Sequence, residues 1–298
     1  MYITYNHLNP CNIVKSLEGV GSQYRKIISV YSVAKKNNLK YIHIPIRVGH
    51  NYDNEKNWDE KWDNFFNFKK VADNDELNID NDKLNNMEKY FITENTTTET
   101  MVSNNKPNSL YLYFHAFNVF YKDPDYYLKD IQDDLINAYD ETNNHRTLIY
   151  NKNKTSIAIH IRVYNDYDND GDYEKYSDDV PKDKRYHFTA KMCEMYENLI
   201  SQLKTKYTNH DIHIFSQEKY FDLKFKKLRD IKDIQLHFDD VDVFDTFHHL
   251  CKADVLVMAS STFSVLAAFY NKNTIIHLDL NNEVLKSWIV YNNGLSLL

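Results

Sequence analysis

The sequence predicts an α/β fold in which helices cover parallel β-sheets, organised as two domains. Of the 298 residues, 42% are hydrophobic, and this length suits one large domain or two of ordinary size. Apolar strand-like runs alternate with amphipathic helical runs, most regularly in the second half, which indicates a parallel sheet with helices on both faces. We expect a first domain over residues 1–150 and a second over residues 151–298.

The first domain is expected to contain strand and helix elements at both of its ends. Residues 2–6 are typical of a short strand, and residues 19–46 of a glycine turn, an amphipathic helix and a second strand. An apolar run follows over residues 109–120. Residues 123–145 then predict one helix that begins with Asp-Pro. This pattern indicates an α/β unit.

A polar insertion is predicted over residues 51–108, which are rich in Asn, Asp, Glu, Lys and Thr. Within it, four aromatic residues stand at helical spacing. They are Trp58, Trp62, Phe65 and Phe66. This spacing favours a helix packed on the core over an aromatic surface that binds an acceptor.

The second domain is predicted to repeat strand and helix. The predicted strands cover residues 156–163, 211–217, 234–238, 254–259 and 273–279. The predicted helices cover residues 187–207, 220–230, 243–253 and 264–270. Ligands of such sheets bind at the carboxyl ends of the strands, so the loops after the strands are where functional residues are expected.

Composition and charge exclude several functions. The net charge is −7 and the isoelectric point is about 6.0. The protein therefore has no excess of positive charge to attract the phosphates of nucleic acid, and we expect no nucleic-acid partner. The three cysteines are widely spaced, which fits free thiols in a reducing compartment. None of them has the spacing of a metal-ligand motif. No apolar run approaches the roughly 20 residues that a membrane span requires. We also find no basic segment followed by an apolar segment, the pattern of a signal peptide. We therefore expect a cytoplasmic protein without a membrane span.

Two groups of polar residues follow predicted strands. Ser260, Ser261 and Thr262 stand at the start of a helix, where unpaired backbone N–H groups and the positive dipole end suit a phosphate. An ordinary helix cap needs one hydroxyl, so three favour an anion site. Arg162 ends the strand at 156–163 and would supply a planar fork for a diphosphate. The alternative is an arginine that pairs with the acidic loop behind it.

That acidic loop contains four aspartates between Asp166 and Asp172. It matches the opening of a calcium-binding EF-hand loop, but Ser177 stands where a bidentate glutamate is required and a strand precedes the loop, so we exclude an EF-hand. The pair Asp166 and Asp168 fits a metal-binding DxD element by pattern alone. A solvated acidic loop is favoured, from which Asp166 would project as a general base.

Four segments, in matching order over most of the chain, resemble motifs of the fucosyltransferase superfamily, which includes the α1,2-, α1,6- and protein O-fucosyltransferases. Gly19, Gly21 and Gln23 match its GxGNQ turn, and "HIRVYND", from His160, is similar to its HxRRxD motif with Val163 at the second arginine. "HIFSQ" resembles a strand ending in Phe-Ser. "FDTFHHLCKADVLVMASSTFSVLAAF" resembles the donor motif and is the most specific match.

The resemblance implies two Rossmann-like domains in the GT-B arrangement, with the acceptor side in the first domain. It implies an inverting transfer of L-fucose from GDP-fucose to a glycan or protein hydroxyl, with no bound metal and no further cofactor. Arg162 and Asp166 would be catalytic, Arg162 on the β-phosphate. Asp245 would bind the edge of guanine, and Gly21 would allow close approach to the donor. The donor-binding residues so implied are Gly19, Gly21, His160, Arg162, Ser216, Asp245, Ser261, Thr262, Phe263 and Ser264.

Two alternatives stay open at this point. One is a metal-dependent nucleotide-sugar transferase that works through Asp166 and Asp168. The other is an inactive family member that binds a glycan or a nucleotide as an interaction protein. Transfer activity in excess chelator distinguishes the first alternative, and donor turnover distinguishes the second.

Overall fold

The computed structural model of the chain shows two compact units, Met1–Arg146 and Thr147–Leu298. It describes residues 2–5, 19–46, 57–71, 86–92, 109–113, 123–162, 182–217, 221, 225–238, 240–259, 261–278 and 285–291. Each unit is an α/β structure around a parallel sheet, as the sequence predicts. The boundary between the units lies four residues before the predicted one.

The sheet of the first unit contains four described strands, all parallel. They are β1 (Tyr2–Tyr5), β2 (Lys40–Tyr41), β3 (Glu88–Ile92) and β4 (Ser109–Tyr113). Their order is β2-β1-β4-β3, with Ile3 paired to both Tyr41 and Tyr111. Strand β3 lies inside the predicted insertion, so residues 51–108 contribute to the sheet as well as to loops.

Five described helices accompany this sheet. They are α1 (Val20–Lys36), α2 (Trp58–Phe66), α3 (Phe68–Val71), α4 (Pro124–Leu128) and α5 (Gln132–Asn143). Trp62, Phe65 and Phe66 are buried, so α2 is a helix packed on the core, as its spacing predicts. The single helix predicted over residues 123–145 is divided into α4 and α5 by a turn in which Ile131 is fully buried.

The sheet of the second unit contains six described strands, again all parallel. They are β5 (Thr155–His160), β6 (His210–Phe215), β7 (Ile234–His237), β8 (Val255–Met258), β9 (Thr274–Leu278) and β10 (Ile289–Tyr291). The order is β10-β9-β8-β5-β6-β7. All five predicted strands are present, and β10 is an additional edge strand.

Three described α-helices and one 3₁₀-helix belong to this unit. They are α6 (Lys182–Lys206), α7 (Val243–Lys252), α8 (Thr262–Phe269) and the 3₁₀-helix Lys226–Asp230. The 3₁₀-helix lies where the sequence predicts an α-helix over residues 220–230. Helix α7 packs against both α8 and β5.

The two faces of the second sheet differ in chemistry because successive strand residues point to opposite faces. One face is apolar: Ile157, Ile212 and Val255 belong to a core cluster that includes Leu199 of α6. The strand registers place four histidines on the opposite face. They are His160, His213, His237 and His277.

Candidate functional site

The strand order of the second sheet defines a crevice at the carboxyl ends of β5 and β8. From β5 the chain continues outward through β6 and β7, whereas from β8 it continues in the opposite direction through β9 and β10. This is the order of nucleotide-binding doubly wound sheets, whose ligands bind where the connections diverge. The residues that follow β5 and β8 therefore form the candidate site.

His160 is the last residue of β5 and its ring is buried, with 8% of the residue exposed. The ring packs against Phe263, with centroids 5.6 Å apart. Burial, and then the nearby charge of Arg162, lower the pKa of His160 to about 3, so the ring is neutral at physiological pH. Its buried Nδ1 has no hydrogen-bond partner among the residues that the structure describes.

Arg162 lies half-buried just beyond β5, and its Nη1 donates to Oε1 of Gln217 at 3.2 Å. Gln217 follows β6, the neighbouring strand, and so helps to orient the guanidinium. The hydroxyl of Ser216 donates to the carbonyl of Ile161 at 2.8 Å, and its N–H donates to the carbonyl of His237 at 3.0 Å. Ser216 therefore ties together the ends of β5, β6 and β7, and its contact with a donor stays a prediction.

The start of α8 lies across the crevice from the end of β5. Ser261 is the N-cap, and its Oγ accepts from the N–H of Phe263 at 3.3 Å. Thr262 is exposed at the first helical position. Ser264 is fully buried, and its hydroxyl donates to the carbonyls of Ala259 and Ser261, each at 3.2 Å. The ligand contacts of Ser261 and Thr262 stay predictions, whereas the hydroxyl of Ser264 bonds to the backbone of the loop.

Helix α7 also begins at this edge, since it follows β7 of the parallel sheet. Asp242 caps it by accepting from the N–H groups of Phe244 at 2.7 Å and Asp245 at 2.9 Å. Asp245, partly exposed, lies in the first turn. The rings of Phe247 and Phe263 meet edge to face at 5.2 Å and join α7 to α8. Two helix N-termini and one arginine make this edge suited to an anion.

Comparison with known proteins gives similarity to solved structures alone. No protein-family model matches the chain, and no curated protein matches it. A crystal structure of POFUT1 in complex with GDP-fucose is 12% identical, with a TM-score of 0.46, and covers 91% of this chain and 95% of that chain. A second, POFUT1 in complex with GDP, is 11% identical, with a TM-score of 0.43, and covers 94% and 99%. At these TM-scores the likeness carries no conclusion about function.

The glycine turn belongs to the first unit. Gly19 precedes α1 with a φ of −67°, and a Cβ at this position would meet nothing within 4 Å, so the described structure does not require glycine here. Gly21 and Gln23 are buried in the first turn of α1. Their predicted approach to the donor stays a prediction.

The acidic loop and Ser260 lie outside the described residues, and with them the predicted base Asp166 and the DxD pattern. Among the residues described, no group of three or more His, Cys, Asp and Glu side chains could hold a metal ion. None of the helices in the described part of the chain is long and apolar enough to cross a membrane.

Sequence reasoning did not single out Gln217, the hydrogen-bond partner of Arg162. The available signal was its position, since Gln217 is the last residue of a predicted strand, next to the loop where site residues of parallel sheets are expected. It also missed a contact between His213 and His237, whose sequence separation gives no hint of their pairing.

Proposed function

We propose that the protein is an inverting glycosyltransferase that transfers a sugar, L-fucose first, from a GDP-sugar to a hydroxyl of a glycan or protein. Its main support is the site at the carboxyl ends of β5 and β8, where the strand connections of the second sheet diverge. There, His160 and Arg162 at the end of β5 lie beside the N-terminus of α8, to which His160 is packed through Phe263. A diphosphate fits a half-buried arginine fork next to a helix start.

The proposed diphosphate contacts come from three kinds of donor. Arg162, oriented by Gln217, supplies the guanidinium fork. The first turn of α8 supplies backbone N–H groups and the positive end of its dipole, and Ser261 and Thr262 add hydroxyls. Donors fixed in this way stabilise the charge that develops on a leaving diphosphate. We propose that these donors bind the diphosphate without a metal ion or further cofactor.

The nucleotide base is assigned to the start of α7. The carboxylate of Asp245 would accept two parallel hydrogen bonds from N1–H and the N2 amino group of guanine. Asp242, not Asp245, caps the helix N-terminus, so the side chain of Asp245 is not required for the cap. Uracil and adenine lack this pair of donors, so guanine would be preferred.

The catalytic base, the acceptor side and the cellular location are proposed as well. Inverting transfer needs a base within hydrogen-bond reach of the acceptor hydroxyl, and Asp166 is the proposed base. The first domain is proposed to bind the acceptor, and the protein to act in the cytoplasm. The base follows from the place of Asp166 in the sequence, the acceptor side from the motif resemblance, and the location from the sequence composition.

A thermal-shift comparison of GDP, UDP and ADP tests the nucleotide assignment, because a ligand specific to the folded state raises the melting temperature. We expect the largest shift with GDP. The variant Asp245→Ala should lose this preference, with at least a tenfold weaker GDP affinity, since a hydrogen bond to a charged group contributes about 1.5–3 kcal/mol. The control Asp133→Ala removes another first-turn aspartate, from α5, and should change nothing. Equal shifts for GDP and UDP would contradict guanine recognition.

Donor hydrolysis and transfer to an acceptor panel test the chemistry. Turnover of GDP-fucose that persists in excess chelator is the expected result. Loss of turnover in chelator would instead favour the metal-dependent alternative through Asp166 and Asp168. GDP binding without turnover of any GDP-sugar would favour an inactive nucleotide-binding protein.

A further inference from the structure

A chain of hydrogen-bonded side chains crosses the polar face of the second sheet, from Asp211 to Asp240. Oδ2 of Asp211 lies 3.0 Å from Nε2 of His213, and Nδ1 of His213 lies 2.9 Å from Nε2 of His237. Nδ1 of His237 then lies 3.2 Å from Oδ2 of Asp240. The two imidazoles therefore stand in a row between two carboxylates.

The two carboxylates are ionised. Burial by itself raises the pKa of Asp211, but hydrogen bonds from the N–H of Asn151 and from His213 lower it overall. Burial likewise raises the pKa of Asp240, and the hydrogen bonds from the N–H of Phe238 and from His237 lower it overall. Each end of the row is consequently a hydrogen-bond acceptor.

Counting hydrogens across the row fixes its charge. Since an ionised carboxylate only accepts, Nε2 of His213 and Nδ1 of His237 must each carry a hydrogen. The central bond between the two rings needs one more hydrogen. Three hydrogens are thus required on the four ring nitrogens, whereas two neutral imidazoles carry two. All three hydrogen bonds form only when the histidine pair holds one positive charge.

Of the two rings, His237 is the one nearer to solvent. His213 is fully buried, and burial lowers its pKa despite the opposing effect of Asp211. The side chain of His237 lies next to Asp240, whose side chain is 60% exposed. The hydrogen count together with this burial therefore favours the third hydrogen on the outer ring over the buried one.

Other polar side chains lie around the pair. From β7, the Gln235 amide donates to Oδ1 of Asp211 at 3.1 Å, and lies 3.3 Å from Nε2 of His213. From α7, Nδ1 of His249 lies 2.5 Å from the Asp245 carbonyl, and its Nε2 accepts from the N–H of Ile149 at 3.1 Å. These two contacts fix His249 as a neutral ring.

Two further residues act on this row. The ring of Tyr150 packs on His213 and on His249, with centroids 5.0 and 5.4 Å away. Its buried hydroxyl donates to the carbonyl of His249 at 2.9 Å, and burial holds its pKa well above the ordinary value. Lys154 acts on the carboxylate of Asp211 by its charge and lowers that pKa further.

The pair holds the segment that leads into α7. Oδ1 of Asp240 accepts from the N–H of Phe238 at 2.7 Å, while Oδ2 faces His237. Two residues later Asp242 caps α7, and Asp245 follows in the first turn. The position of His237 relative to Asp240 therefore influences where α7 begins.

We propose that His213 and His237 share one proton, and that this charged pair is a positioning group for the first turn of α7, effective within a window of pH. Above the window the proton is lost, and one of the three hydrogen bonds with it. Below the window a second proton is bound. Nδ1 of His213 and Nε2 of His237 then both carry hydrogens, and the hydrogen bond between the rings is lost. The link to Asp245 rests on the proposed function, because that function assigns base recognition to this turn.

The shared proton is tested without any ligand by NMR of the full chain labelled with ¹⁵N in histidine. Long-range spectra report the hydrogens on each ring nitrogen. At about pH 7 we expect His213 to be neutral with its hydrogen on Nε2, and His237 to carry hydrogens on both nitrogens. Two neutral rings at this pH would overturn the proposal. So would a His237 spectrum that is unchanged in the variant Asp240→Asn.

Asp240→Asn is the decisive variant for the positioning role. The Asn oxygen can still accept from Phe238, and its amide can donate to Nδ1 of a neutral His237, which then donates through Nε2 to His213. Every hydrogen bond is kept, but the extra proton is no longer needed. GDP affinity of the wild type should fall roughly tenfold as the proton is lost at higher pH, whereas that of Asp240→Asn should stay constant.

Two further variants separate positioning from general destabilisation. His237→Gln should show the weaker GDP affinity at every pH, and His210→Gln, which removes a histidine of β6 outside the row, should follow the wild type. A loss of affinity at high pH that is identical in the wild type and Asp240→Asn would overturn the positioning role. If GDP binds to none of these proteins, the proposed function fails, while the NMR spectra still decide whether the pair shares a proton.

Discussion

The ring of His160 lies against the ring of Phe263, with centroids 5.6 Å apart, so the last residue of β5 and the first turn of α8 form one packed surface. His160 ends one of the two central strands of the sheet, and Phe263 lies in the helix that follows the other. A change in either ring therefore acts on both sides of the candidate anion site.

The buried ring of His160 makes stability depend on pH. Its pKa is about 3 in the folded state and about 6.5 in an unfolded chain. Between these values the unfolded chain binds a proton that the folded chain does not, so the free energy of unfolding decreases as pH falls below about 6.5. The expected contribution is about 1.4 kcal/mol per pH unit.

Urea unfolding at several pH values between about 7.5 and 4.5 measures this effect. The variant His160→Gln should lose stability less steeply than the wild type as pH falls. The control His145→Gln changes a histidine in the turn after α5 and should retain the wild-type slope. Equal slopes for all three proteins would contradict a neutral buried His160.

Arg162→Lys should lower turnover of the donor on the order of 10²-fold, the size typical of removing one preorganised donor to a developing charge. Lysine keeps the charge but loses the planar fork. Val163 supplies no second arginine to compensate. Steady-state kinetics should show a smaller loss in donor binding than in kcat, because the fork acts mainly on the leaving diphosphate.

Gln217→Ala provides a graded comparison, since it removes the contact at 3.2 Å that orients Arg162 while keeping the guanidinium. Its turnover should lie between those of the wild type and Arg162→Lys. Arg229→Lys, at an exposed position of the 3₁₀-helix, is the matched control. Full activity of Arg162→Lys would contradict its proposed role.

The double variant Ser261→Ala with Thr262→Ala should bind GDP about five- to twentyfold more weakly, because two side-chain donors are lost while the backbone N–H groups remain. Loss of the Ser261 cap should also lower the free energy of unfolding by about 1 kcal/mol. Calorimetric titration and urea unfolding separate the two effects. Unchanged GDP affinity with lower stability alone would show that the hydroxyls serve only as a cap.

Asp254→Ala should destabilise the second unit by about 1–3 kcal/mol, measured by urea unfolding. Oδ2 of Asp254 accepts from both the N–H and the hydroxyl of Ser156, each at 2.8 Å, and the N–H of Asp254 donates back to that hydroxyl at 2.9 Å. This exchange joins the starts of β5 and β8, at the opposite edge from the candidate site. GDP affinity should therefore stay unchanged, and Asp230→Ala, at the end of the 3₁₀-helix, should leave stability unchanged.

The sequence predicts the central strands of the second sheet well because they are continuous apolar runs. The runs that contain Ile157 and Ile159 in β5, and Val255 and Val257 in β8, are short and buried. A short continuous apolar run of this kind is typical of a strand inside a parallel sheet. Strand β10 was missed because it has three residues, and β3 because it lies within a polar stretch. Short edge strands bury too little apolar surface to leave a clear pattern.

For the candidate site, the sequence predicts location better than contacts. Arg162 and Ser261 come to one edge because parallel strands share their carboxyl ends. The partners of Ser216 and Ser264, in contrast, are the backbone carbonyls of Ile161 and Ala259, and every residue has such a carbonyl. Side-chain identity alone therefore cannot distinguish a hydroxyl that faces a ligand from one that supports a loop.

The tie that Ser216 makes among the ends of β5, β6 and β7 has a thermodynamic consequence for any ligand. Its two hydrogen bonds, to Ile161 and from its own N–H to His237, form when the unit folds. The conformational entropy of these strand ends is thus lost before a ligand arrives, and association no longer has to order them. The variant Ser216→Ala removes the hydroxyl, so part of this entropic cost should arise on binding instead of on folding. Calorimetry should then show a less favourable binding entropy.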